Sequence, residues 1–267
     1  MSKSESLFPS RISMLFVAAT ALMTIASVAR AAAPDFAPGT FKVLTPNTST
    51  VIGQAHFDVT DEGGGAVTVR SDARYTSGET DNEEDRLAAP VKGGLPRQLT
   101  FVHEFFNPDG SPDRDDKADL LTGQASCTVN QGGHADVQSA KLVFPADTYA
   151  GAPVMIPLRD ALMAKVARPV RFHYFTCVPG PRVVSITAQV GSPAQWKYLK
   201  GSSTIQVDLQ PDFGWLNPVI APFLPAVRAW FDPSRQWYLV GIESARYYRG
   251  AKILMVGEIP PAGSSPR

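Results

Sequence analysis

Val67-Thr68-Val69-Arg70-Ser71-Asp72-Ala73-Arg74-Tyr75 is the stretch that decides the fold. Apolar and polar residues largely alternate along it, the period of a strand with one buried and one wetted face. The same period returns further on. Val184, Ile186, Ala188 and Val190 interleave with Ser185, Thr187 and Gln189, and Ile205, Val207 and Leu209 with Gln206 and Asp208. Residues 39–45, 51–60, 97–106, 122–130, 136–144, 169–178, 236–244 and 250–257 read as further strands. Glu62-Gly63-Gly64-Gly65, Asn130-Gln131-Gly132-Gly133 and Pro179-Gly180-Pro181 punctuate them as turns. Parallel neighbours need crossovers of a dozen or more residues, so short spacing predicts antiparallel connections. One-sided alternation suits the same kind of sheet.

Helix is scarce. One is expected over Pro157 to Val166, with proline in the first turn and Leu158, Ala161, Leu162 and Val166 on one face. A second short helix is expected from Pro225 to Phe231, ended by Asp232-Pro233. Residues 79–86 (Glu-Thr-Asp-Asn-Glu-Glu-Asp-Arg) and 107–119 read as two acidic loops that interrupt the strands.

The N-terminus reads as an export signal over residues 1–33. Lys3 and Arg11 are basic, Ile12 to Val28 is apolar and uncharged, and Ala29-Arg30-Ala31 and Ala31-Ala32-Ala33 are small-x-small cleavage sites. The alternative is a membrane anchor, but the apolar run is short against the ~20 residues of a span. No Cys follows it, which argues against a lipoprotein anchor. A single β-rich domain is then expected over 34–259 and a flexible tail over 260–267. The product should be periplasmic or secreted and not membrane-spanning after cleavage.

Without residues 1–31 the basic count falls from 25 to 22 and the acidic count from 25 to 24. A basic excess to neutralise phosphates is missing, so nucleic acid is not an expected partner. Cys127 and Cys177 are the only cysteines. An oxidising compartment favours a disulfide between them over a reactive thiol or a metal pair.

Asp109, Ser111, Asp113 and Asp115 alternate in the manner of hard oxygen ligands for calcium. The EF-hand pattern then fails, because Arg114 stands where Gly is needed and Leu120 where Glu is needed. A solvated hairpin loop is the competing reading. His56, His103, His134 and His173 are scattered, and His103-Glu104 lacks the second histidine of a zincin helix. No nucleophile elbow, phosphate loop or dinucleotide fingerprint occurs. No cofactor and no enzymatic activity are expected. An enzyme would need one of the histidines within hydrogen-bond reach of Ser or a carboxylate in a cleft.

Residues 213–233 are apolar, aromatic and broken by Pro218, Pro222 and Pro225. They read as a plug over one end or face of the sheet, or as a lid or docking surface.

Phe41-Lys42-Val43, then Val51-Ile52-Gly53-Gln54-Ala55-His56-Phe57-Asp58-Val59, then Val67 to Tyr75, resembles the opening of exported bacterial proteins of unknown function of the DUF3108 and DUF6134 type. That resemblance implies a curved antiparallel sheet, similar to the half-barrel of the LolA and LolB lipoprotein carriers. The fold class expected is therefore mainly β: a curved antiparallel sheet or incomplete β-barrel with one or two short helices. Such a sheet can enclose an apolar cavity. Phe172, Tyr174, Trp196, Trp215, Phe223, Trp230 and Trp237 are the candidate lining residues. The expected role is non-enzymatic binding of a hydrophobic small molecule or lipid. The alternative is a cell-envelope structural or interaction protein that docks another envelope protein through 213–233.

Overall fold

The computed structural model describes residues 39–90, 94–166, 169–212, 227–246 and 250–258. The export signal, the tail at 260–267 and most of the apolar segment, 213–226, lie outside the described residues.

The alternating stretch lies in β3 (Ala66–Tyr75), where Val67, Val69, Ala73 and Tyr75 are buried and Arg70, Asp72 and Arg74 are exposed. Before it come β1 (Gly39–Leu44) and β2 (Val51–Gly63), and after it β4 (Thr80–Ala88), β5 (Arg97–Phe106), β6 (Pro112–Asp119), β7 (Gln124–Gln131) and β8 (His134–Lys141). A short β9 (Thr148–Tyr149) leads through a 3-10 turn into α1 (Met155–Met163). Then follow β10 (Val170–Thr176), β11 (Arg182–Gln195), β12 (Ser203–Pro211), β13 (Val227–Asp232), β14 (Tyr238–Ala245) and β15 (Lys252–Gly257).

All of these strands form one curved open sheet in the order β8-β7-β6-β5-β4-β3-β2-β1-β15-β14-β13-β12-β11-β10-β9. Every ladder is antiparallel except the short β9–β10 pair. The expected mainly-β architecture is the one observed. β1 joins the two halves by pairing with both β2 and β15, Val43 lying opposite Gly53 on one side and Met255 on the other.

Side chains bring the far edge of the sheet back toward β5. The Gln98 amide donates to Ala150 O at 3.3 Å and accepts from Ala150 N at 2.7 Å, and the Tyr149 hydroxyl donates to Pro96 O at 3.0 Å. β6, β7 and β8 continue past this junction. The disulfide between Cys127 on β7 and Cys177 after β10 ties that extension down across a separation of 50 residues. Closing a loop of this length stabilises the fold by about 4 kcal/mol on the chain-entropy account.

The two faces of the sheet carry different cores. Successive residues of a strand point to opposite sides, so Phe231 joins the inner cluster with Leu158, Phe172, Ile186 and Val207, while Trp230 joins an outer one with Leu44, Val240 and Leu254.

Three expectations need correction. Residues 79–86 are not a loop but lie largely within β4, and 112–119 of the second acidic segment are β6; only 107–111 form a turn. Charge at nearly every position hides the period, yet Asp81, Glu83 and Asp85 face inward and find polar partners there. The second helix does not form, since Val227–Asp232 is a strand paired on both sides. That ladder, with burial on both faces, overrides the helical preference of so short a segment. The first helix does form, two residues earlier than expected. It buries Leu158, Ala161 and Leu162 and ends before Val166, with Lys165 in the left-handed region at φ 51°.

Gln98→Leu should leave both polar groups of Ala150 and one Asp85 oxygen without their partner. At ~1–3 kcal/mol for each buried unsatisfied group, the variant should lose about 3 kcal/mol or more of stability in urea unfolding. Retained wild-type stability would show that the junction does not hold the sheet.

Candidate functional site

The concave face of the sheet encloses a cavity of about 600 Å³. Most of its wall is apolar, from Phe41, Phe57, Ile242, Ile253 and Met255 on one side to Ile186, Leu209 and Phe231 on the other. Met155, Ile156 and Met163 of α1 add to the lining, so the buried stripe of the helix covers part of the space.

One sector is polar, and strand alternation builds it. β4 contributes Asp81 and Glu83, β5 contributes His103 between Phe101 and Phe105, and β6 contributes Arg114 and Asp116. The Tyr75 hydroxyl donates to Asp81 at 2.9 Å, and the Arg246 guanidinium lies 3.8 Å over the Tyr75 ring. Arg246 also pairs with Glu79 at 2.6 Å and reaches Asp81 at 3.8 Å. His103 stands between two carboxylates, with Nε2 3.8 Å from Asp81 and Nδ1 3.5 Å from Glu83. Arg114 pairs with Asp116 at 3.2 Å.

Glu83 is fixed from behind by the backbone, since Ala152 N donates to it at 2.6 Å. Gly151 makes this approach possible. It adopts φ 58°, and a Cβ there would meet the Glu83 carboxylate at 2.3 Å. Deeper in the wall, Asp85 is fully buried and accepts from Gln98 at 2.6 Å.

Burial sets the protonation of this wall. It pushes Asp85 well above the carboxylate range, and the neighbouring Glu83 charge adds to the effect. Burial also raises Asp116, against the opposing pull of Arg114. For His103 burial opposes the imidazolium, but Asp81 and Glu83 outweigh it and the pKa is raised. Burial raises Tyr75 and Tyr174 as well, with Asp81 and Glu83 respectively adding to it, so both phenols stay neutral.

Of the candidate lining residues, Tyr174 lines the cavity. Phe172 is buried beside it in the inner core, its ring 6.4 Å from that of Tyr149. Trp237 packs against the same core from a turn at φ 62°. Trp196 and Trp230 belong to the opposite face, where they stack with centroids 4.8 Å apart. Gly241 leaves room for that stack, since a Cβ there would lie 2.1 Å from the Trp196 ring. Trp215 and Phe223 lie outside the described residues.

The calcium candidates do not converge. Asp109 accepts from Ser111 N at 2.9 Å and Ser111 Oγ at 2.6 Å within its own turn, whereas Asp113 and Asp115 lie on β6 and Asp115 pairs with Lys117 at 2.7 Å. Among the described residues, metal-type ligands gather in threes only at Asp116, Cys127 and Cys177, where the two sulfurs are bonded to each other. His56 and His134 are exposed, and His173 meets Asp147 at 2.8 Å outside the cavity lining. Of the four histidines, only His103 faces carboxylates inside the cavity, and it does so at ion-pair distance.

The polar sector was not anticipated. A usable signal existed in Phe101-x-His103-x-Phe105, where strand spacing puts an imidazole on the same face as two aromatic rings. No protein-family model matches the chain, and no curated protein matches it.

His103, Asp85 and Asp116 all bind protons more tightly when folded. Their contributions to stability are therefore present below the unfolded pKa and lost as pH rises through the folded one. For His103 the loss begins near its ordinary value of 6.5. Wild-type thermal stability should fall as pH is raised from 6 to 9, and His103→Gln should flatten that slope. An unchanged slope in the variant would exclude His103 as its source.

Proposed function

We propose that this chain is an exported, non-enzymatic binding protein for a hydrophobic small molecule or lipid, held inside its curved sheet. The cavity carries this reading. Its volume falls within the ~300–1,000 Å³ of small-molecule sites, and a mostly apolar wall with a few convergent polar groups is their usual composition. The disulfide supports an oxidising compartment, in line with the export signal read from residues 1–33. Among the described residues no helix is long and apolar enough to cross a membrane. A lipid-carrier role of the kind implied by the LolA and LolB resemblance belongs to the same proposal.

A second reading is favoured by one observation, the placing of His103 between Asp81 and Glu83 inside the cavity. In that reading the wall moves a proton on the bound molecule. The envelope-docking alternative rests on 213–233, of which only the strand portion from Val227 is described.

Native mass spectrometry of the protein, purified gently from its exported compartment, should show excess mass of lipid size that is lost on denaturation. Ile242→Trp, which fills the cavity, should abolish that mass. Trp230→Ala should keep it, although losing the outer stack should cost ~3–5 kcal/mol of stability. A bare wild-type mass would overturn the binding proposal, and a chemically altered molecule after incubation would favour proton transfer.

A further inference from the structure

We propose that the cavity selects a neutral apolar molecule bearing one hydroxyl, carbonyl or amide group, seats that group against the β4–β6 wall, and discriminates against charged analogues. This inference rests on the binding proposal and specifies its ligand class.

The internal pairing of the wall carries it. Asp81 is met by Tyr75, His103 and Arg246, Glu83 by Ala152 N and His103, and Asp116 by Arg114. Among the described residues, each cation of the β4–β6 wall and its Arg246 neighbour is thus already opposite a carboxylate. An amphiphile with a carboxylate or ammonium head would bring a full charge to a wall whose described charges already face one another. It would either stay unpaired, at a large desolvation cost, or displace an existing partner and leave that one unpaired. Fatty acids and quaternary amines are therefore disfavoured, although the apolar wall suits their tails.

A neutral polar group escapes this penalty. A carboxylate offers about four lone-pair sites and a phenol oxygen two. Asp81, Glu83 and the Tyr174 hydroxyl can accept one more hydrogen bond without releasing a partner. Arg114 has five N–H groups, so it can donate to a carbonyl while keeping Asp116. Two further charges on the lining, Arg159 and Asp160, come from α1 and not from this wall. Asp160 is exposed, and Arg159 donates to Gln236 O at 3.0 Å and lies 5.6 Å over the Tyr238 ring.

The test uses three probes with one hydrocarbon frame and different heads: all-trans-retinol, retinoic acid and retinylamine. They are titrated by fluorescence into the full exported chain at neutral pH. Retinol should bind at least tenfold more tightly than either charged analogue. The Arg114–Asp116 pair then supplies two reciprocal variants. Asp116→Asn leaves Arg114 without its carboxylate and should shift the preference toward retinoic acid by about tenfold. Arg114→Gln should shift it toward retinylamine by a similar factor.

General damage to the site would weaken all three probes together and could not move the two ratios in opposite directions. Equal binding of retinoic acid or retinylamine to the wild type would overturn the inference and leave the binding proposal standing. Ratios unchanged in both variants would also overturn it. Failure of all three probes to bind would overturn the binding proposal and this inference with it.

Discussion

β5 pairs with β4 from Arg97 onward and with β6 from Thr100, and the edge strand β9 comes up against it at Gln98 without forming a ladder. The Gln98 amide spans that junction, making with Ala150 the two bonds that a neighbouring strand would make. Much else depends on this contact. It brings the β10–β12 side of the sheet opposite the β4–β6 side, and the cavity is the space between them. It also places Gly151 and Ala152 against Glu83, so the residues that anchor the polar wall follow directly in the chain from those that close the sheet. A side-chain junction suits a sheet that both closes and continues. A full ladder at this point would exclude β6, whereas one buried amide leaves the hairpins beyond it in register, and the disulfide then holds them.

The inward acidic row on β4 is costly to bury, and its partners show how the cost is offset. Neighbouring strands place a donor opposite each inward acid: Tyr75 on β3 for Asp81, His103 on β5 between Asp81 and Glu83, and Gln98 on β5 for Asp85. Asp85 has one oxygen without a partner, and its raised pKa is the expected response, since a protonated acid needs no counter-charge. Stability alone rarely favours such an arrangement, because well-packed apolar residues of similar volume are often as stable as a buried ion pair. A largely paired polar wall facing an apolar cavity is therefore better explained by what it would do to the proposed occupant than by what it adds to the fold.

The sequence disclosed the strands wherever one face was wet. Val67 to Tyr75, Val184 to Val190 and Ile205 to Leu209 alternate cleanly, and each is a strand with one polar face. It hid them where both faces carry the same kind of side chain. β4 has charge inside and outside, so its period vanished into an acidic run. β13 is short and sets Trp230 between Arg228 and Asp232, so apolar residues fall on both faces and it resembled the end of a plug. The site was hidden for the same reason. Tryptophans attract attention by size, and Trp196 and Trp230 were natural candidates, but their positions give them to the outer stack over Gly241. Nothing local distinguishes an inward-facing Trp230 from an inward-facing Phe231. The answer lies in the unbroken pairing with β12, which sets Gln206 opposite Trp230 and Ile205 opposite Phe231, a property of two strands together.

That register bears on the cavity as well. A regular strand assigns alternate residues to each face, so one slip would exchange Trp230 and Phe231 and put an indole among the lining residues. The outer stack works against the slip. Trp196 occupies the space above Gly241 and lies nearly parallel to Trp230 at 14°, so the larger ring has a fitted place outside the sheet. Filling that place keeps the smaller Phe231 on the inside. Trp196 and Trp230 thus belong to the outer face, where their stack favours the register that sets Phe231 inside.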